Sequence, residues 1–155
     1  MPEDKRSCIM ASGMFFQNDP LWKDKPLNNS KETIGSVGCL LTSLCNINNI
    51  VNDKQITPVD LNRELILFNG YTNENYIIWS VVEHILNLDI VHHYTGEIEY
   101  NIKDYFIVNY INHGYGHFTN LISKHGSCYT VFDVWNNKIR NKTDIRRVVK
   151  VCKRA

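Results

Sequence analysis

The chain has 155 residues, with 17 Lys/Arg against 16 Asp/Glu, 43% hydrophobic and 21% charged residues. That size suits a single domain over 1–155 with a core large enough to stand without staples, and the balance excludes a disordered chain or a long coiled coil. No segment approaches the roughly 18 consecutive apolar residues of a membrane span. The near-neutral total hides an asymmetry: residues 138–155 carry eight Lys/Arg against Asp144 alone, so residues 1–137 are net acidic. The basic segment reads either as an arm for an anionic polymer or as a final strand with a charged, solvated face. Val148, Val149 and Val151 favour the strand, and nucleic acid is not expected as a partner.

Residues 1–14 read as an N-terminal extension. Lys5 and Arg6 precede a short apolar run that Ser12 and Gly13 interrupt, while Glu3 and Asp4 occupy what would be a basic region. This is not the pattern of a signal peptide, so synthesis in the cytoplasm is expected. Residues 17–36 are rich in Asn, Pro, Ser and Lys and read as a long irregular segment, which in a small domain is usually functional. Leu40, Leu41, Leu44 and Ile47 then recur at helical spacing, predicting a helix over 38–48. Thr57-Pro58-Val59-Asp60 is a helix start with Thr57 as N-cap. Leu61, Leu65 and Phe68 make its apolar face, and Gly70 sits where a helix-ending glycine belongs. A third helix is expected over 74–87, burying Ile78, Trp79, Val82, Ile85 and Leu86. After Leu88 the chain turns to short β-branched and aromatic stretches, predicting strands at 89–95, 104–110, 117–123, 128–135 and 146–152. Lys124-His125-Gly126-Ser127 reads as a hairpin loop. Helices first and an antiparallel sheet after make the fold class α+β.

Five cysteines, Cys8, Cys39, Cys45, Cys128 and Cys152, give an odd count with no C-x-x-C pair. That argues against a disulfide framework and a zinc site, and neither a metal nor a cofactor is expected. Cys39 differs from the others. Gly35 and Gly38 lead into it, and it lies in the first turn of a predicted helix, where unpaired N–H groups and the positive end of the dipole favour a thiolate and can hold a developing oxyanion. Of the six histidines, His117 opens a strand after Gly114-Tyr115-Gly116. Asp133 lies 16 residues further on, in the following strand, where a hairpin through Gly126 would bring the two together. The order Cys, His, Asp on these elements points to nucleophilic thiol chemistry.

Gln17-Asn18-Asp19-Pro20-Leu21-Trp22, followed by Thr33-Ile34-Gly35-Ser36-Val37-Gly38-Cys39, resembles the bacteriocin-leader-peptidase-like cysteine peptidases of the papain clan; the resemblance spans about residues 15–136. It implies a papain-like fold, with the nucleophile helix packed on a C-terminal antiparallel sheet. It implies Cys39 as nucleophile, His117 as general base and acid, Asp133 as its orienting group, and Gln17 as a side-chain donor to the oxyanion. The chain departs from the pattern in Leu40-Leu41, where small residues are frequent, and in Val134, where proline is common; Asn136 is the alternative orienting group. The implied substrate is a peptide, such as the leader of a secreted peptide, or a peptidoglycan-like polymer. Similar domains in phage lysis and tail proteins bring in bacterial wall peptides and a released or virion-associated location. An amidase, deamidase or transglutaminase-like acyl transferase shares the same triad chemistry, and a catalytically inactive binding module is the third reading.

Overall fold

The computed structural model describes residues 14–93 and 104–154. Of the expected extension only Met14 falls within them, and Cys8 and the predicted end of the first strand lie outside. Among the described residues the chain forms an α+β domain in which four helices precede and flank a six-stranded antiparallel sheet. Among the described residues no helix is long and apolar enough to cross a membrane.

The helices are α1 (Ile34–Val37), α2 (Cys39–Val51), α3 (Pro58–Leu67) and α4 (Trp79–Leu86). The irregular segment thus contains a one-turn helix, fixed by a capping box between Thr33 and Ser36. Helix α2 runs three residues past its expected end because its asparagines replace missing helical partners. Asn52 donates to the Asn48 side chain and to the Leu86 carbonyl, while Asn48 donates to the Lys54 carbonyl. Thr57 caps α3 as expected, reciprocated by Asp60. Its inner face is Leu61, Asn62 and Leu65 rather than Phe68, which is exposed. The left-handed residue that ends it is Asn69, not Gly70. Helix α4 begins five residues later than predicted. Residues 74–78 instead form a turn, with Tyr71 bridging Ile77 and the Ile78 amide donating to the Gly70 carbonyl.

The strands are β1 (Leu88–His93), β2 (Tyr105–Asn112), β3 (Tyr115–His125), β4 (Cys128–Asp133), β5 (Lys138–Lys142) and β6 (Arg147–Lys153), in the order β1-β6-β2-β3-β4-β5. The basic C-terminal segment is therefore two strands rather than one. β6 is central and apolar through Val148, Val149 and Val151, whereas β5, Lys-Ile-Arg-Asn-Lys, is an exposed edge whose composition gave no strand signal. The β2–β3 hairpin closes on His113-Gly114, both with positive φ, the conformation of the tight two-residue turn.

Two cores lie on the two faces of the sheet. The larger joins Leu41, Leu44, Ile47, Leu61, Leu65 and Val82 of the helices to Ile107, Val149 and Val151. The smaller lies on the other face and holds Phe106, Val108, Tyr110, Leu121, Tyr129, Val131 and Val148. Between α2 and β3 the packing is polar as well as apolar. The fully buried Asn120 donates to the Ser43 carbonyl (3.0 Å) and accepts from Asn46 Nδ2 (2.9 Å). Asn46 also pairs with both the N–H and the carbonyl of Phe15. Removing Asn46 would leave several buried polar groups without partners, each costing about 1–3 kcal/mol. Asn46→Ala is therefore expected to lower stability by roughly 2–4 kcal/mol in urea denaturation, and Asn46→Leu, which restores volume but no hydrogen bond, should not recover it.

Candidate active site

Gly38 makes the start of α2 possible. A Cβ there would lie 2.4 Å from the Ile34 carbonyl oxygen, and one at Gly35 would lie 2.7 Å from that of Lys23. These glycines let the chain pass close to its own backbone rather than to a substrate. They pack α1 tightly under α2, and the chain emerges at Cys39 as the first helical residue. Its N–H therefore has no carbonyl four residues back within the helix. Cys39 is partly exposed on the wall of a cleft of about 1020 Å³, together with Gln17, His117 and Asp133. The structure thus brings together all four residues singled out from the sequence.

His117 and Asp133 are both buried, with His117 Nε2 2.8 Å from Asp133 Oδ1. The Cys39 thiol is close enough to the same imidazole to favour its charged form, and with Nε2 given to Asp133 the nitrogen left for the sulfur is Nδ1. Asp133 is held on three sides. His117 and the Trp135 amide (3.0 Å) meet Oδ1, and Arg140 Nε reaches Oδ2 at 2.8 Å. Burial alone would raise the Asp133 pKa, but the bonds from His117, Trp135 and Arg140 overcome it and hold the carboxyl at about 2. For His117 burial likewise opposes charge. The bond to Asp133 and the neighbouring Cys39 outweigh it and bring the imidazole up to about 9. The imidazolium and the carboxylate are thus a charged pair at neutral pH.

Gln17 is buried, its amide donating to the Gly35 carbonyl at 2.9 Å and its backbone N–H to the Val134 carbonyl. The opposite amide orientation would set two oxygens against each other, so Gly35 fixes which end is nitrogen. One Nε2 hydrogen remains after that bond. Asn136 also lines the cleft, but the partner of His117 is Asp133. Val134 is compatible with this arrangement because its N–H donates to the Thr119 hydroxyl (3.2 Å), which in turn donates to the Phe132 carbonyl. A proline there would lose the first of these bonds.

Arg140 is the site residue that the sequence reading missed. It lies in an edge strand without an apolar pattern, and a lone arginine seven residues past an aspartate carries no signal until β5 folds back on β4. Trp22 is a core residue, its indole donating to the Phe16 carbonyl. Trp79 is half-buried and stacks edge-on with His92 and Phe118. Cys45 is fully buried, and burial pushes its thiol well up, so it is an inert thiol.

The charged pair makes stability depend on pH in a definite direction. The His117 pKa is raised in the fold, so its contribution is complete below about 6.5 and is lost as pH rises through about 9. The Asp133 pKa is lowered, so its contribution is complete above 3.8 and is lost as pH falls through about 2. Unfolding midpoints of the wild type should therefore fall between pH 6.5 and 9.5, by roughly 1–3 kcal/mol in stability. Asp133→Asn should flatten that slope. The same slope in both proteins would exclude the charged pair.

Compared with known proteins, the chain matches no family model and no curated protein, so the roles of these residues rest on their geometry.

Proposed function

We propose that the protein is a papain-type thiol hydrolase that cleaves a peptide or amide bond through a Cys39 thioester. One observation carries this reading: a buried Asp133–His117 pair meets a partly exposed cysteine at the first turn of a helix, on the wall of a cleft. A helix packed through its buried face on an antiparallel sheet is compatible with the papain-like arrangement.

Each group has a part in the reaction. The Cys39 sulfur attacks the carbonyl carbon while the imidazolium of His117 lies beside it. The negative charge that develops on the carbonyl oxygen is met by the Cys39 N–H and the remaining Nε2 hydrogen of Gln17. His117 then gives its proton to the leaving nitrogen, the C–N bond breaks, and a thioester remains. Water attacks the thioester with His117 taking its proton, and the acid is released with the thiol restored. Asp133 keeps the ring oriented throughout, with Nε2 bonded and Nδ1 towards the sulfur. The substrate best suited to the cleft is a peptide, including the peptide parts of a bacterial wall.

Iodoacetamide should label Cys39 faster than Cys45, Cys128 or Cys152, and His117→Ala should slow that labelling. Equal labelling of the accessible thiols would sink the reading. With a peptide library or purified wall as substrate, new amino termini should appear. Ammonia without chain cleavage would instead indicate a deamidase, and amide exchange onto an added amine an acyl transferase. His117→Ala should cost about 10²–10⁴ in rate and Gln17→Ala about 10²–10³. Hydrolysis should decline above about pH 9 as His117 loses the proton it must donate.

A further inference from the structure

The cleft wall carries buried polar atoms that lack hydrogen-bond partners, among them the Tyr110 hydroxyl. Tyr110 is only 1% exposed, and a buried hydroxyl left without a partner calls for an explanation. Its surroundings supply one. Tyr110 stands opposite His117 in the β2–β3 ladder, their rings edge-on at 5.5 Å. Lys142 Nζ lies 4.5 Å from the centre of the Tyr110 ring. Arg140 uses Nε on Asp133 and leaves 43% of its side chain exposed at the cleft. In β5, Arg140 and Lys142 are two residues apart and so share one face of the sheet.

The acids that pair with these cations are Asp133 and Asp144. Asp133 is held by His117 and Arg140, and Asp144, largely exposed, lies 3.6 Å from Lys142. With His117 protonated, three cations, His117, Arg140 and Lys142, stand on this side of the cleft with Asp133 and, at the rim, Asp144, while Glu32 and Glu74 also line the cleft. Burial, and then the charge of Asp133, push the Tyr110 pKa upward, so the hydroxyl remains a donor throughout the working range. Gln17 Oε1 and Asn136 Oδ1 also lack partners and would accept from a donor, whereas the Tyr110 hydroxyl, a neutral donor without an acceptor, and the two cations, one of them only loosely paired at the rim, favour an anion.

We propose that Tyr110, Lys142 and Arg140 form a subsite for a carboxylate that the substrate carries next to the bond cleaved at Cys39. The substrate class is thus narrowed to peptides with an acidic group beside the scissile amide. This rests on Cys39 being the nucleophile, and the test separates the two ideas.

Iodoacetate and iodoacetamide both place a carbon on sulfur with loss of iodide, and differ only in a carboxylate against an amide. The rate ratio, iodoacetate over iodoacetamide, is measured at Cys39 and at the partly exposed Cys128 of the same protein. In the wild type the ratio should be higher at Cys39. The imidazolium of His117 favours iodoacetate in every variant, so the change on substitution decides the matter. Tyr110→Phe should lower the Cys39 ratio by about tenfold or more, as expected for losing a hydrogen bond to a charged group. Lys142→Gln should lower it by about two- to fivefold, and Asp144→Asn, which frees Lys142, should raise it. If Tyr110→Phe does not fold, the opposite shifts of the two rim variants carry the test. A Cys39 that remains the fastest thiol, with a ratio unmoved by these substitutions, would overturn the subsite and leave the hydrolase intact. A Cys39 no faster than Cys128 towards iodoacetamide would overturn both.

Discussion

The geometry of the site depends on one buried contact, the amide of Asn120 set between the Ser43 carbonyl and the Asn46 side chain. Cys39 and His117 belong to different layers. Apolar packing between a helix and a sheet tolerates small slides, since Leu and Val contacts have no direction. Hydrogen bonds in a dry interface do have direction, and leaving them unmade is costly. Ser43 and Asn46 lie on α2, one and two turns after Cys39, while Asn120 lies three residues after His117 on β3. The amide cluster therefore sets the position of the helix along the strand close to the place where sulfur must meet imidazole. Asn46 also grips Phe15 at both its N–H and its carbonyl, so the segment leading to Gln17 takes its position from the same cluster.

A second constraint acts within the sheet. From the turn, β3 and β4 pair in simple register: His125 with Cys128, Lys124 with Tyr129, Ser123 with Thr130. Continued without interruption, that register would set Asn120 opposite Asp133. Residues directly opposite share a face, and Asn120 faces α2, so Asp133 would point away from His117. The register instead shifts between Leu121 and Ser123, and Asn120 comes opposite Phe132. One extra residue at Ile122 moves every later side chain of one strand to the other face relative to its partner. Asp133 thereby joins Thr119 and His117. Arg140, the partner of its second oxygen, shares its face through the β4–β5 pairing and comes to that side with it.

These two features divide what was legible in the sequence from what was not. Cys39 at a helix start, the Thr57 cap and the strand carrying His117 are written in local patterns: glycine spacing, a capping box, and a run of aromatic and β-branched residues. The proximity of Asp133 to His117 was expected from a plain hairpin, which is the right outcome through the wrong register. Nothing local marks the bulge, because Ile122 is a typical strand residue. Strand β5 and Arg140 were invisible for a related reason. An edge strand with both faces wet needs no apolar alternation, and its cations read as a solvated tail. The late start of α4 has a different cause. Residues 74–78 have helical periodicity, but Ile77 and Ile78 are taken by bonds to Tyr71 and Gly70, so tertiary pairing overrides the local preference.

The basic C-terminal segment, read from sequence as one surface, is divided by the fold among separate tasks. Lys150 pairs with Asp104, and Arg154 with Asp89 and Glu83, which tie the central strand and its end to their neighbours. Arg147 lies over the rings of Trp79 and Phe118 and reaches His92. Arg140 and Lys142 alone of these residues line the cleft. The segment is thus mostly not a free arm for an anionic polymer, since its charges are spent against particular partners in the fold. What remains facing the cleft is a pair of cations two residues apart on one strand, beside a tyrosine hydroxyl. A surface of that size suits a single carboxylate rather than a chain of them.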